Sequence, residues 1–115
     1  MKKEQNFMML FRFKPDFSHR PTEEEQTQMQ QDWGKFIGNI AIAEKLVSTD
    51  RLGFEGRKIQ ADGSVADGML IAEEQMVSGN MVVKSNSLEE ATEMAKACPI
   101  LKMGGNVEVR PIAPM

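Results

Sequence analysis

Alternation of apolar and polar positions first becomes clear over Phe7-Met8-Met9-Leu10-Phe11-Arg12-Phe13. On an extended chain Phe7, Met9, Phe11 and Phe13 share one face, and Met8, Leu10 and Arg12 the other. Both faces are largely apolar, which predicts a strand covered on both sides, by helices on one and by a further layer such as a second subunit on the other. Lys14 to Arg20 reads as a loop, with Pro15 ending the ladder. Thr22 and Glu25 have the spacing of a capping box, and Glu23, Glu24 and Glu25 suit the positive end of a helix dipole. Met29, Trp33, Phe36, Ile37 and Ile40 then recur as one helical stripe, and the helix is expected to end near Glu44. Gly34 and Gly38 cost about 1 kcal/mol each against Ala inside a helix, and close approach of a neighbouring backbone is the expected reason for them.

Residues 46 to 66 are polar and rich in turns, with weak strands expected near Arg51–Phe54 and Arg57–Gln60. Asp62-Gly63 reads as a two-residue hairpin turn and Asp67-Gly68 as another turn. Gly79 to Lys84 alternates as a strand. Ser87 with Glu90 predicts a second capping box, opening a helix with Leu88, Ala91, Met94, Ala95 and Cys98 on one face and stopped by Pro99. Gly104-Gly105 turns into a last strand over Asn106–Ile112, with Val107 and Val109 facing one way and Asn106, Glu108 and Arg110 the other. The order is strand, long helix, two middle strands, helix, strand. That is the βαββαβ pattern of a ferredoxin-like α+β fold, an antiparallel sheet with two helices on one face. Its other face would carry Met8, Leu10 and Val82, an apolar patch that pairing of two sheets in a homodimer would cover.

Composition narrows the function. The 115 residues fit one domain, 1–115, and can bury roughly two-thirds of the surface of the unfolded chain. Fourteen Lys and Arg against seventeen Asp and Glu give a net charge of −3, which disfavours direct binding to nucleic acid. The apolar runs fall far short of the ~18 residues a membrane span needs. Glu4, Gln5 and Asn6 follow Lys2-Lys3 where a signal peptide would carry an apolar core. With the lone thiol of Cys98, this points to a reducing, cytoplasmic location, the alternative being an exported chain whose signal has been removed. One Cys and one His cannot close a structural zinc site, the ten Met read as packing rather than copper ligands, and no phosphate-cradling Gly loop is present, so no metal or cofactor is expected.

Several stretches resemble the YCII-related (DGPF) domain family. They are Phe7-Met8-Met9-Leu10-Phe11, Asp67-Gly68, Gly79-Asn80-Met81-Val82-Val83, Ser87 to Ala91 continuing through Ala97-Cys98-Pro99, and Val107-Glu108-Val109-Arg110-Pro111-Ile112. The resemblance implies a ferredoxin-like subunit that pairs into a dimeric α+β barrel. Two positions depart from the family pattern. Asp67-Gly68-Met69-Leu70 stands where Asp-Gly-Pro-Phe is usual, and Glu44 stands where the first helix often ends on glycine, so that a left-handed cap there would be strained.

Related proteins imply a His–Asp pair for proton transfer, which here would be His19 and Asp67. The competing readings are a solvated loop histidine and a turn aspartate bonded to its own backbone. Arg12, Glu108 and Arg110 share the face assigned to the barrel interior. There they would bind a small polar or anionic molecule, or pair with one another across strands or subunits. Trp33 reads as core, and Cys98, at the negative end of a helix, as structural. Three functions are carried forward: a homodimer binding a small polar or anionic molecule in a cleft at the sheet interface; a cofactor-free enzyme using His19 and Asp67; and a protein-interaction module in transcriptional regulation. Whether the chain is an enzyme is left open by its residues.

Overall fold

The computed structural model describes residues 4–15 and 20–114. The first strand, β1 (Gln5–Phe13), sends Phe7, Met9 and Phe11 into the core by strict alternation. Helix α1 (Glu23–Ile42) opens on the expected box: Glu25 N–H donates to Thr22 Oγ1 at 3.1 Å, and Thr22 N–H to Glu25 Oε1 at 3.3 Å. Its stripe places Phe36 and Ile40 in the core, with Trp33 and Ile37 half-buried against it. The indole of Trp33 meets Phe11 and Phe36 edge-on, with ring centroids 5.3 and 5.9 Å apart.

The helix leaves through a left-handed residue despite having no glycine. Glu44 sits at φ 61°, Glu44 N–H bonds to the Ala41 carbonyl at 3.0 Å, and Lys45 N–H bonds to the Ile40 carbonyl at 3.1 Å. These are the two bonds of a Schellman motif, which stops the helix and leaves a side chain in a conformation that costs roughly 1–2 kcal/mol. Gly34 and Gly38 correct another expectation. A Cβ at either would meet nothing within 4 Å, so no neighbouring backbone requires them.

The chain then forms β2 (Leu46–Arg51), earlier than the strand expected near Arg51–Phe54. A bulge between Leu46 and Ser48 breaks its alternation. The strand expected over Arg57–Gln60 is β3 (Arg57–Ile59), which pairs only with β4 (Val65–Asp67), a strand too short to be foreseen. Their turn has three residues rather than two. Gln60 N–H bonds to the Ser64 carbonyl, Gly63 N–H bonds to the Gln60 carbonyl, and Gly63 is left-handed at φ 86°. This hairpin projects as an arm. Its base is closed by Gly68 N–H bonding to the Gly56 carbonyl at 2.8 Å, and Ile59 and Val65, opposite one another, are both largely exposed.

Strand β5 (Met76–Ser85) returns through the centre of the sheet, followed by α2 (Leu88–Ala95), a 3₁₀ turn over Pro99–Met103 and β6 (Asn106–Pro111). Ser87 caps α2 by accepting from Glu90 N–H at 3.1 Å, but the reciprocal half of the expected box is replaced. Ser87 N–H donates instead to Ser85 Oγ, and the Glu90 carboxylate turns toward Lys45 at 3.7 Å. Ala91, Ala95 and Cys98 are buried as expected, whereas Leu88 lies in the first turn and is exposed.

The main sheet has the order β2-β5-β1-β6 with every neighbouring pair antiparallel, which is the ferredoxin-like α+β arrangement with the β3–β4 arm inserted between its second and third strands. Pro111 lies on the edge strand β6, where a missing N–H is tolerated. Both helices pack on the face carrying Phe7, Met9, Phe11, Met81 and Val83. Each such side chain contributes about 1.5–3 kcal/mol by leaving water. The opposite face bears Met8 and Leu10, both half-buried, and Val82, which is buried there, and neither helix packs on it.

Candidate functional site

Arg12, Glu108 and Arg110 come together on the open face, as strand alternation predicts. In register Leu10 lies opposite Glu108 and Met8 opposite Arg110. Arg12 Nη1 is 2.7 Å from Glu108 Oε1, and Arg110 Nε is 3.9 Å from Glu108 Oε2. One carboxylate therefore holds two guanidiniums. The group is half-exposed, and its charges are engaged with one another.

Asp67 is elsewhere. It ends β4 on the arm, with its side chain 93% exposed and its Oδ1 3.4 Å from Arg57 Nε, the residue opposite it in register. Its partner is that arginine, and the following Gly68 supplies the positive φ of the turn. His19 lies outside the described residues. Cys98 is buried, and desolvation pushes its thiol up from an ordinary 9.0 to about 11, while the helix end expected from the sequence lies earlier, since α2 stops at Ala95 and Cys98 leads into the 3₁₀ turn. Among the described residues no three His, Cys, Asp or Glu side chains gather in a way that could hold a metal ion. None of the helices there is long and apolar enough to cross a membrane.

A cavity of about 650 Å³ lies on the helix side of the sheet, between α1 and the β2–β5 strands. Register explains its position. Phe11 on β1, Gly79 on β5 and Arg51 on β2 form one row across the sheet on the helix-facing side. The absent side chain at Gly79 leaves a gap in this row between the phenyl ring and the guanidinium. Gly79 is required by its surroundings, since a Cβ there would lie 2.5 Å from the Asp50 carbonyl oxygen. A bulge beside Phe11 and Arg12 sets this approach, with Ser78 Oγ donating to the Phe11 carbonyl at 3.3 Å and Leu52 N–H to the Ser78 carbonyl at 2.9 Å.

Trp33, Phe13, Ile37 and Phe54 supply apolar walls, and Thr49 and Gln30 supply polar groups. The volume is in the range of small-molecule sites, as is the balance of an apolar body with a few polar groups. Among the described residues, Arg51 and Asp50 are the charged ones of the lining. Asp50 falls opposite Asn80 and Leu10, so alternation turns its carboxylate to the open face, while Arg51 faces the cavity. Arg51 has no ion-pair partner among the described residues, unlike Arg12, Arg57 and Arg110. A shallower cavity of about 240 Å³ between α1 and the 3₁₀ turn is edged by Asp32 and Lys102, which approach each other to 3.8 Å.

Sequence reasoning missed the larger cavity. Trp33, read as core, is half-buried and forms one of its walls. The available signal was Gly79, because a glycine within a strand marks close approach of another backbone.

None of the curated proteins matches the chain. The family model for the YCII-related domain matches residues 6–115, nearly its whole length, and the chain belongs to that family.

Proposed function

We propose that this protein is a homodimer, joined through the open sheet face, that binds a small molecule in the cavity between α1 and the β2–β5 strands. The observation that carries the binding reading is the row Phe11–Gly79–Arg51, where a glycine required by its backbone contact opens a floor beneath Trp33. The small polar or anionic ligand expected at Arg12, Glu108 and Arg110 has less support, because those charges are already engaged with one another.

Dimerisation is supported by the open sheet face, whose apolar Met8 and Leu10 are only half-buried and lie outside the helix-packed core.

The test uses the single tryptophan. Titration with biphenyl-4-carboxamide or biphenyl-4-carboxylate should change Trp33 emission saturably, and Ile37→Phe, which fills the cavity, should abolish the change. If neither probe binds saturably, or if both bind Ile37→Phe unchanged, the cavity is not a ligand site.

A further inference from the structure

We infer that the ligand of this cavity is a planar aromatic carboxylate, with its rings against Trp33 and the phenyl rings and its anionic group held by Arg51. The inference rests on the reading of the cavity as a ligand site and adds the class of molecule. Two observations carry it.

The walls near the floor are flat and aromatic. Trp33 is already held edge-on to Phe11 and Phe36, which fixes one side of a slot suited to a ring rather than a flexible chain. The floor is a strand backbone at Gly79, so a flat body can lie close to it.

Arg51, the one basic group of the lining among the described residues, is free to accept an anion. Arg12 and Arg110 share Glu108, and Arg57 has Asp67. Arg51 stands next to Gly79 in the row with no carboxylate beside it among the described residues, and the one acidic lining residue, Asp50, alternates to the other side of the sheet. A guanidinium presents a planar fork that matches a carboxylate with two parallel hydrogen bonds.

The neutral hydroxyls of the lining do not add to this preference. Thr49 Oγ1 spends its proton on the Asn80 carbonyl at 3.0 Å, and Ser78 Oγ spends its proton on the Phe11 carbonyl. Both hydroxyls can then only accept from a ligand, so neither favours the carboxylate by donating to it. The anion's donor is Arg51.

The experiment compares two probes of equal shape, biphenyl-4-carboxylate and biphenyl-4-carboxamide, by Trp33 emission and calorimetry at low ionic strength. The carboxylate should bind about tenfold more tightly than the amide, the lower end for a charge-assisted pair at an exposed arginine. Arg51→Gln should erase the difference by weakening carboxylate binding more than amide binding, and Arg51→Lys should restore part of it. Equal affinity of the two probes for the unaltered protein overturns the inference and leaves the cavity as a ligand site. So does an Arg51→Gln variant that still prefers the carboxylate. Absence of saturable binding by both probes overturns the inference together with the reading beneath it.

Discussion

Gly79 and Asp50 touch through their backbones on adjacent strands: a Cβ at Gly79 would stand 2.5 Å from the Asp50 carbonyl oxygen. The contact belongs to β2 and β5, and rigid backbone rather than a flexible side chain blocks the added methyl. Gly79→Ala must push β2 away from the sheet. We expect a loss of about 1–3 kcal/mol, as for overpacked interiors, read as a lower urea midpoint with unchanged slope. Binding of either biphenyl probe should weaken in the same variant, because the floor and the Arg51 wall move together.

Two backbone positions predict the opposite sign. Glu44→Gly relieves a left-handed residue and should stabilise the fold by up to about 1 kcal/mol. Gly34→Ala places a methyl in open space on α1 and should add about 0.5–1 kcal/mol. The substitutions lie on separate turns, so their effects on the urea midpoint should add.

Burial of Cys98 predicts both a reactivity and a pH dependence. With its thiol pushed up to about 11, native protein at pH 8 should react with a disulfide reagent only as fast as it unfolds. Between about 9 and 11 the unfolded chain releases the thiol proton while the folded chain keeps it, so the cysteine's contribution lowers stability as pH rises through that window. Cys98→Ala should reduce this slope, measured by urea titrations at pH 8.5 and 10.

At the acid end, Lys45 joins the helix exit to β1 and α2, standing 2.6 Å from Glu4 and 3.7 Å from Glu90. Its hydrogen bond and charge hold the Glu4 carboxyl below its ordinary 4.5, while bonding to Glu4 raises the Lys45 ammonium above its own ordinary value. The Glu4 contribution is therefore present above about pH 4.5 and fades as the pH falls through the lowered value. It should be small and weakened by salt, because the pair is at the surface. Glu4→Gln should reduce the salt sensitivity of the stability measured at pH 6 by this pair's share.

The open sheet face predicts the assembly. Leu10→Lys sets a charge among Met8, Val82 and Glu108, where we propose a second copy packs. Sedimentation should show a dimer for the unaltered chain and a 12.9 kDa particle for the variant, with near-native far-UV circular dichroism in both. A monomer in both cases would remove the dimer.

Much of the fold was legible because β1, α1 and β6 repeat their apolar positions at the spacing of one element, and Thr22, Ser87 and Pro99 punctuate them. Strand β2 was misplaced because it is an edge strand with a bulge after Leu46, so it contributes few buried positions and its alternation is interrupted. Strand β4 has three residues and pairs only with β3, which leaves little pattern to read. Alternation also placed Arg12, Glu108 and Arg110 on one face, and their mutual pairing was one of the outcomes it allowed. The cavity was not legible. Phe11, Gly79 and Arg51 lie on three strands far apart in sequence, and only the register of those strands sets them side by side.

The hydrogen bond between Gly56 and Gly68 makes the intervening segment a detachable cassette. Both of its ends already meet, so its length and content can change without pulling on β2 or β5, whose alignment shapes the cavity. Natural variation in this family is then expected to concentrate between those two glycines.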